Sequence, residues 1–234
     1  MPMFYYGDNL YFLVLIAAVF SFYAQMKVSG TFKKFSRVRN RRGYTGAQVA
    51  QAMLQRAGIY DVRIERVAGS LTDHYDPRTK TLRLSQDVYD SNSVAALGVA
   101  AHETGHAIQH DVGYAALGLR SFFVPIANFG SKLSWPLILI GFLFTGNTGH
   151  MLLTLGILFF SFSVAFTVIT LPVEFNASNR AVRILGSTGI LGQEELKGTR
   201  KVLGAAALTY VAGAAASILQ LLRLLILFGG RSDD

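Results

Sequence analysis

The sequence predicts a mainly α-helical membrane protein, in which four transmembrane helices carry a cytoplasmic α+β domain with a small β-sheet. Three observations predict it. Apolar residues make up 51% of the 234 and the mean hydropathy is +0.37, more apolar than a soluble globule of this size. Those residues gather into four stretches of spanning length. The 22 Lys and Arg avoid one side of these stretches almost completely.

The first stretch, Leu10 to Met26, is apolar apart from Ser21 and Gln25. At about 1.5 Å per residue it is just long enough to cross a hydrocarbon core of about 30 Å. Asp8 precedes it without any Lys or Arg, and no small-x-small cleavage site follows, so residues 1–26 read as a retained anchor rather than a secretory signal. Phe129 to Thr145 and Met151 to Leu171 are separated by Gly146, Asn147, Thr148 and Gly149, a turn-forming composition that makes 129–171 a membrane hairpin. Leu203 to Phe228, within 203–234, is the last span. Its small-residue runs, Gly204 to Ala207 and Gly213 to Ala216, suit close helix packing in lipid.

Fifteen of the Lys and Arg lie between Lys27 and Lys132 and five between Pro172 and Lys201. Segments 27–128 and 172–202 are therefore expected on the positive, cytoplasmic side, facing away from the amino terminus, the Gly146 to His150 turn and the Arg231 to Asp234 tail. Arg223, near the end of the last span, is expected to snorkel to the outer interface. Lys27 to Arg42 holds seven positive charges and no negative one, with Phe32 and Phe35 interleaved. It reads as a topology signal and as a surface for anionic membrane lipid. A net charge of +8 raises nucleic acid as a partner, but no binding module accompanies it and none is expected.

Within 27–128, Thr45 is placed as a helix N-cap, Val49, Met53 and Leu54 follow at helical spacing, and Gly58 ends the helix. Val62, Ile64 and Val67 suggest a strand. Tyr75 to Arg78 reads as a turn before a second strand, Thr81 to Ser85, whose free edge is expected to take an extended peptide substrate through main-chain hydrogen bonds. A helix from about Ser93 to His110 is apolar around most of its circumference and should be buried.

That helix carries His102, Glu103, Thr104, Gly105 and His106. Two histidines four residues apart project about 40° from one another on one face, so both rings can reach one metal ion. The chain has no cysteine, which excludes disulfides, thiolate zinc sites and a cysteine nucleophile and leaves His and carboxylate as ligands. Glu103, beside the pair, is placed as a general base for water bound to zinc. His110 lies eight residues and about 12 Å from His102 along the helix, too far for the three rings to share one ion. Gln109 and Val112 stand where a glycine-turn arrangement would need Gly and His. Glu174 is the better third ligand: it follows the third span, on the same expected side as His102, and opens a polar stretch to Leu185 behind Pro172. Its competing role is favourable charge at a helix N-terminus.

The segments A-A-H-E-T-G-H-A-I-Q-H at 100–110 and L-P-V-E-F-N-A-S-N-R-A at 171–181 resemble the bacterial membrane zinc metallopeptidases of the YugP type, and the likeness extends over nearly the whole chain. More distantly the chain looks like the HtpX and CAAX-prenyl-protease group. The resemblance implies a zincin-like domain, with zinc held by His102, His106 and Glu174 and with Glu103 catalytic. The wider group has Asp four residues after its glutamate ligand, whereas Ser178 stands here; it can still hydrogen-bond an imidazole, with Asn179 as another possible support. Arg180 and Arg183 are candidates for oxyanion stabilisation, and His74 and Tyr75 are weaker ones.

The expected function is hydrolysis of peptide bonds in membrane-associated or damaged proteins at the cytoplasmic membrane surface. The alternative is a zinc-stabilised membrane adaptor without turnover. A metal transporter would need ionisable ligands inside the spans, which apart from Arg223 carry almost none.

Overall fold

The computed structural model describes residues 3–228, with side chains described from residue 11 onward. The Arg231 to Asp234 tail and the side chain of Asp8 lie outside the described residues. In chain order the elements are α1 (Met3–Phe35), α2 (Gly46–Arg56), β1 (Arg63–Val67), β2 (His74–Asp76), β3 (Thr81–Ser85), α3 (Gln86–Tyr89), α4 (Val94–Asp111), α5 (Ala115–Leu143), α6 (Gly146–Ser187) and α7 (Gln193–Phe228). The fold is mainly helical with one small three-stranded sheet. Four helices, α1, α5, α6 and α7, are long and apolar enough to cross a membrane.

The chain divides into two units. One comprises residues 1–24, 118–171 and 209–234 and holds the apolar parts of the long helices. Here α5 and α6 make close backbone contact: a Cβ built on Gly130 would sit 2.6 Å from the Phe159 carbonyl oxygen, and one on Gly156 would sit 3.0 Å from that of Ser134. Lipid offers no hydrophobic drive for helices to associate, so packing of small residues supplies it. In the last helix the contacts belong to alanines rather than glycines. Ala212 and Ala214 are buried, whereas a Cβ on Gly213 meets nothing within 4 Å. The Arg223 guanidinium lies over the Tyr11 ring, 5.5 Å from its centroid.

The other unit comprises residues 25–117 and 172–208. Thr45 caps α2 in a reciprocal capping box with Gln48, and Gly58, at φ +75°, ends the helix as its spacing suggested. Ser93 caps α4, accepting a hydrogen bond from the Ala96 amide at 3.1 Å. Leu97 and Ala101 of α4 join Met53 and Leu54 of α2 and Leu185 of α6 in one buried cluster. Leu82 and Leu84 of β3 pack on Ala96 and Ala100 from a second.

The sheet order is β1-β3-β2, with β1 parallel and β2 antiparallel to β3. The expected free edge at Thr81 to Ser85 is therefore wrong, because β3 is the central strand. Tyr75 and Asp76, read as a turn, belong to β2 and pair with β3 themselves. The last residue of β3 is also covered, since Asp73 accepts from the Ser85 amide at 2.8 Å. The free edges are those of β1 and β2.

A second difference concerns Pro172, which does not open a new helix. It lies inside α6, which continues to Ser187. A proline removes one helical hydrogen bond, a loss that a long, well-packed helix tolerates. Glu174 is thus an interior residue of α6, and the reading of it as charge at a helix N-terminus falls away.

Candidate metal centre

Helix α4 presents the imidazoles of His102 and His106 from one face, with ring centroids 4.8 Å apart and planes nearly perpendicular. Helix α6 brings Glu174 to them. Its Oε2 lies 3.2 Å from His102 Nε2 and 3.6 Å from His106 Nε2. Gly105 permits this approach, since a Cβ there would sit 2.8 Å from the Ala177 carbonyl oxygen, one turn of α6 beyond Glu174. The glycine in the motif is thus where the two helix backbones touch.

Each imidazole is held from behind. Ser178 Oγ lies 3.0 Å from His102 Nδ1, and Gln109 Oε1 lies 3.0 Å from His106 Nδ1. With both Nδ1 atoms engaged, both Nε2 atoms point inward. Glu174 is 4% exposed and His106 9%. Oε2 of Glu174 is buried without a hydrogen-bond partner. One ligand atom from each of the three residues lies within 4.8 Å of the other two.

A buried carboxylate oxygen facing two imidazole nitrogens concentrates electron pairs where water cannot solvate them, at a cost of several kcal/mol unless a cation joins them. Two imidazole nitrogens and one carboxylate oxygen form a donor set of catalytic zinc, which keeps a further position open. The residues fit a zinc ion.

Electrostatics at the site follow from burial and the shared charges. Desolvation raises the Glu103 carboxyl above its ordinary range, against the opposing pull of His102 and His106. Desolvation would lower His106, but its contact with Glu174 and the charge of Glu103 outweigh it and hold the imidazole above its usual range.

The remaining sequence candidates have other partners. His110 turns its Nδ1 to the Tyr75 hydroxyl at 2.9 Å. Burial pushes the Tyr75 phenol up to about 12, so it stays protonated at neutral pH. His74 Nδ1 lies 2.8 Å from the Thr72 carbonyl oxygen. Arg180 donates from Nε to Asn176 Oδ1 at 2.8 Å, while Asn179 and Arg183 are exposed. Sequence reasoning missed Gln109, which is fully buried. Its signal was available: a polar residue three positions after His106 on an apolar helix lies on the same face and needs a partner.

The family described as "Putative neutral zinc metallopeptidase" matches residues 10–229. The chain is also 47% identical to a protein of Bacillus subtilis (strain 168) named "Putative membrane protease YugP", across 95% of this chain and 98% of that relative. No solved structure matches. With the family spanning residues 10–229 and this relative aligned over nearly all of both chains, the chain belongs to the neutral zinc metallopeptidase family.

Proposed function

We propose that the protein is a membrane-bound, zinc-dependent endopeptidase of the gluzincin type, with zinc held by His102, His106 and Glu174 and with Glu103 as general base. The convergence of the two Nε2 atoms on a buried, unpartnered Glu174 oxygen carries this reading. Zinc bound there supplies Lewis acidity, lowering the pKa of water and polarising a carbonyl. Glu103 accepts the proton that the attacking water gives up and passes it to the departing amine as the C–N bond breaks. Its raised carboxyl suits a group that must take up a proton and then return it. His102 and His106 stay neutral as ligands, and Ser178 and Gln109 hold their rings in place.

The expected substrates are membrane-associated or damaged proteins, bound as extended segments along an edge of the sheet, now β2 or β1 rather than β3. The concentration of Lys and Arg in the segments that bear the site supports a cytoplasmic orientation. The relative's name, a membrane protease, supports the same class of activity.

The test is cleavage of casein and of an unfolded membrane protein by the purified protein in detergent. One zinc per chain, loss of cleavage on chelation and its return with zinc are expected. A metal-free protein that cleaves at the same rate would sink the proposal.

A further inference from the structure

Gln109 has a hydrogen-bond arrangement whose polarity can be read without ambiguity. Arg180 can only donate, so the Asn176 atom it meets at 2.8 Å is the amide oxygen. The Val173 carbonyl can only accept, so the Gln109 atom 2.8 Å from it is the amide nitrogen, which also donates to Asn176 Oδ1 at 3.0 Å. The other end of the Gln109 amide is then its oxygen, 3.0 Å from His106 Nδ1. An oxygen in that position accepts only a proton carried by Nδ1. His102 is held differently, because the Ser178 hydroxyl at its Nδ1 can turn to donate or to accept.

We infer that Gln109, locked by Val173 and Asn176, is a positioning residue that keeps the proton of neutral His106 on Nδ1 and so aims the Nε2 lone pair at the metal. Val173 and Asn176 flank Glu174 on α6. The same side chain that sets the tautomer of one ligand therefore also pins the segment carrying another, and the two are brought to register by one buried amide. Arg180 anchors the far end of this chain through Asn176, which gives it a role other than oxyanion stabilisation. The inference rests on the zinc-site reading for its purpose, but the tautomer itself can be read without metal.

The experiment uses the full-length protein in detergent micelles with ¹⁵N-labelled histidine, and the five histidines make the spectrum tractable. In alkaline buffer without metal, wild-type His106 is expected as the Nδ1–H tautomer. In Gln109→Leu it shifts toward Nε2–H, and zinc affinity measured by chelator competition falls about 10- to 100-fold. Gln109→Glu keeps an oxygen at Nδ1 but sets its other oxygen against the Val173 and Asn176 oxygens, so it retains the Nδ1–H tautomer yet recovers little of the zinc affinity. Asn176→Ala removes one of the two anchors and moves both readouts in the same direction by less; it decides the matter if Gln109→Leu fails to fold. A wild-type Nε2–H tautomer, or a folded Gln109→Leu protein with unchanged tautomer and affinity, overturns the inference. A wild type that shows the Nδ1–H tautomer yet binds no zinc would instead overturn the zinc-site reading.

Discussion

Gly105 and Ala177 are in backbone contact, with room for no Cβ between them: one built on Gly105 would lie 2.8 Å from the Ala177 carbonyl oxygen and 3.2 Å from its Cα. The obstruction is backbone on a packed helix, which cannot swing aside. Gly105→Ala therefore forces α4 and α6 apart, and Glu174 moves away from the two imidazoles with α6. The expected destabilisation is about 1–3 kcal/mol, typical of overpacking. Zinc affinity should fall further than that of Gly98→Ala, where the obstruction is a Thr199 methyl at 3.0 Å that can give way. Thermal unfolding with and without zinc checks both variants.

Glu174 supplies the only carboxylate of the proposed ligand set, and its Oε2 has no hydrogen-bond partner to compensate its burial. Glu174→Gln keeps the shape and removes the charge. It should leave the fold in place while abolishing tight zinc binding. The loss should exceed the roughly 10- to 100-fold that follows removal of a supporting residue. A stable, metal-poor protein by elemental analysis is the expected result. Unchanged zinc content would exclude Glu174 as a ligand.

Ser178 supports His102 without contributing charge, at 3.0 Å from Nδ1. Ser178→Ala leaves that nitrogen without its partner and should weaken zinc binding by about tenfold, the lower end of the range for such supports. Ser178→Asp places a carboxylate against the Nδ1–H, makes the imidazole more basic and should tighten binding. Chelator competition on the two variants gives the order Asp, Ser, Ala. The reverse order would show that Ser178 does not orient His102.

Much of this architecture was legible in the sequence because it depends on local pattern. Apolar length marked the spans, Thr45 and Ser93 marked helix starts, and the His102 and His106 spacing put both rings on one face. What was not legible depended on pairing at a distance. Leu82 and Leu84 alternate with Thr81 and Arg83 as an edge strand would, yet β3 is paired on both sides, because nothing local shows that three residues at His74–Asp76 form a strand. Pro172 looked like a helix start, since proline favours the first turn, but the packing of α6 overrides that preference. Gln109 was passed over because its partners, Val173 and Asn176, are more than sixty positions away.

Orientation can be tested cleanly because the chain contains no cysteine. Single cysteines at exposed Tyr60 and Arg183, in the basic segments, should be protected from a membrane-impermeant maleimide in intact cells and react after lysis. One at Asn147, in the first turn of α6 where the sequence suggested a loop, should react in intact cells. The opposite pattern would reverse the proposed cytoplasmic placement while leaving the metal centre untouched.

His110 provides the sharpest test of the proposed ligand set, because it is the third histidine on the helix that carries His102 and His106 and yet lies outside the proposed site. Its Nδ1 faces the Tyr75 hydroxyl at 2.9 Å, and the two rings lie 5.8 Å apart. That contact ties the end of α4 to β2. His110→Ala removes one partly solvated hydrogen bond, worth about 0.5–1.5 kcal/mol, and Tyr75→Phe should cost a similar amount. Because the two residues share the same bond, the double variant should be less destabilised than the sum of the single ones. Zinc content should stay at one per chain in all three, whereas His106→Ala should lose it. Loss of zinc in His110→Ala with the fold intact would mean that the ion sits one turn further along α4, and the assignment of Glu174 would have to be revised with it.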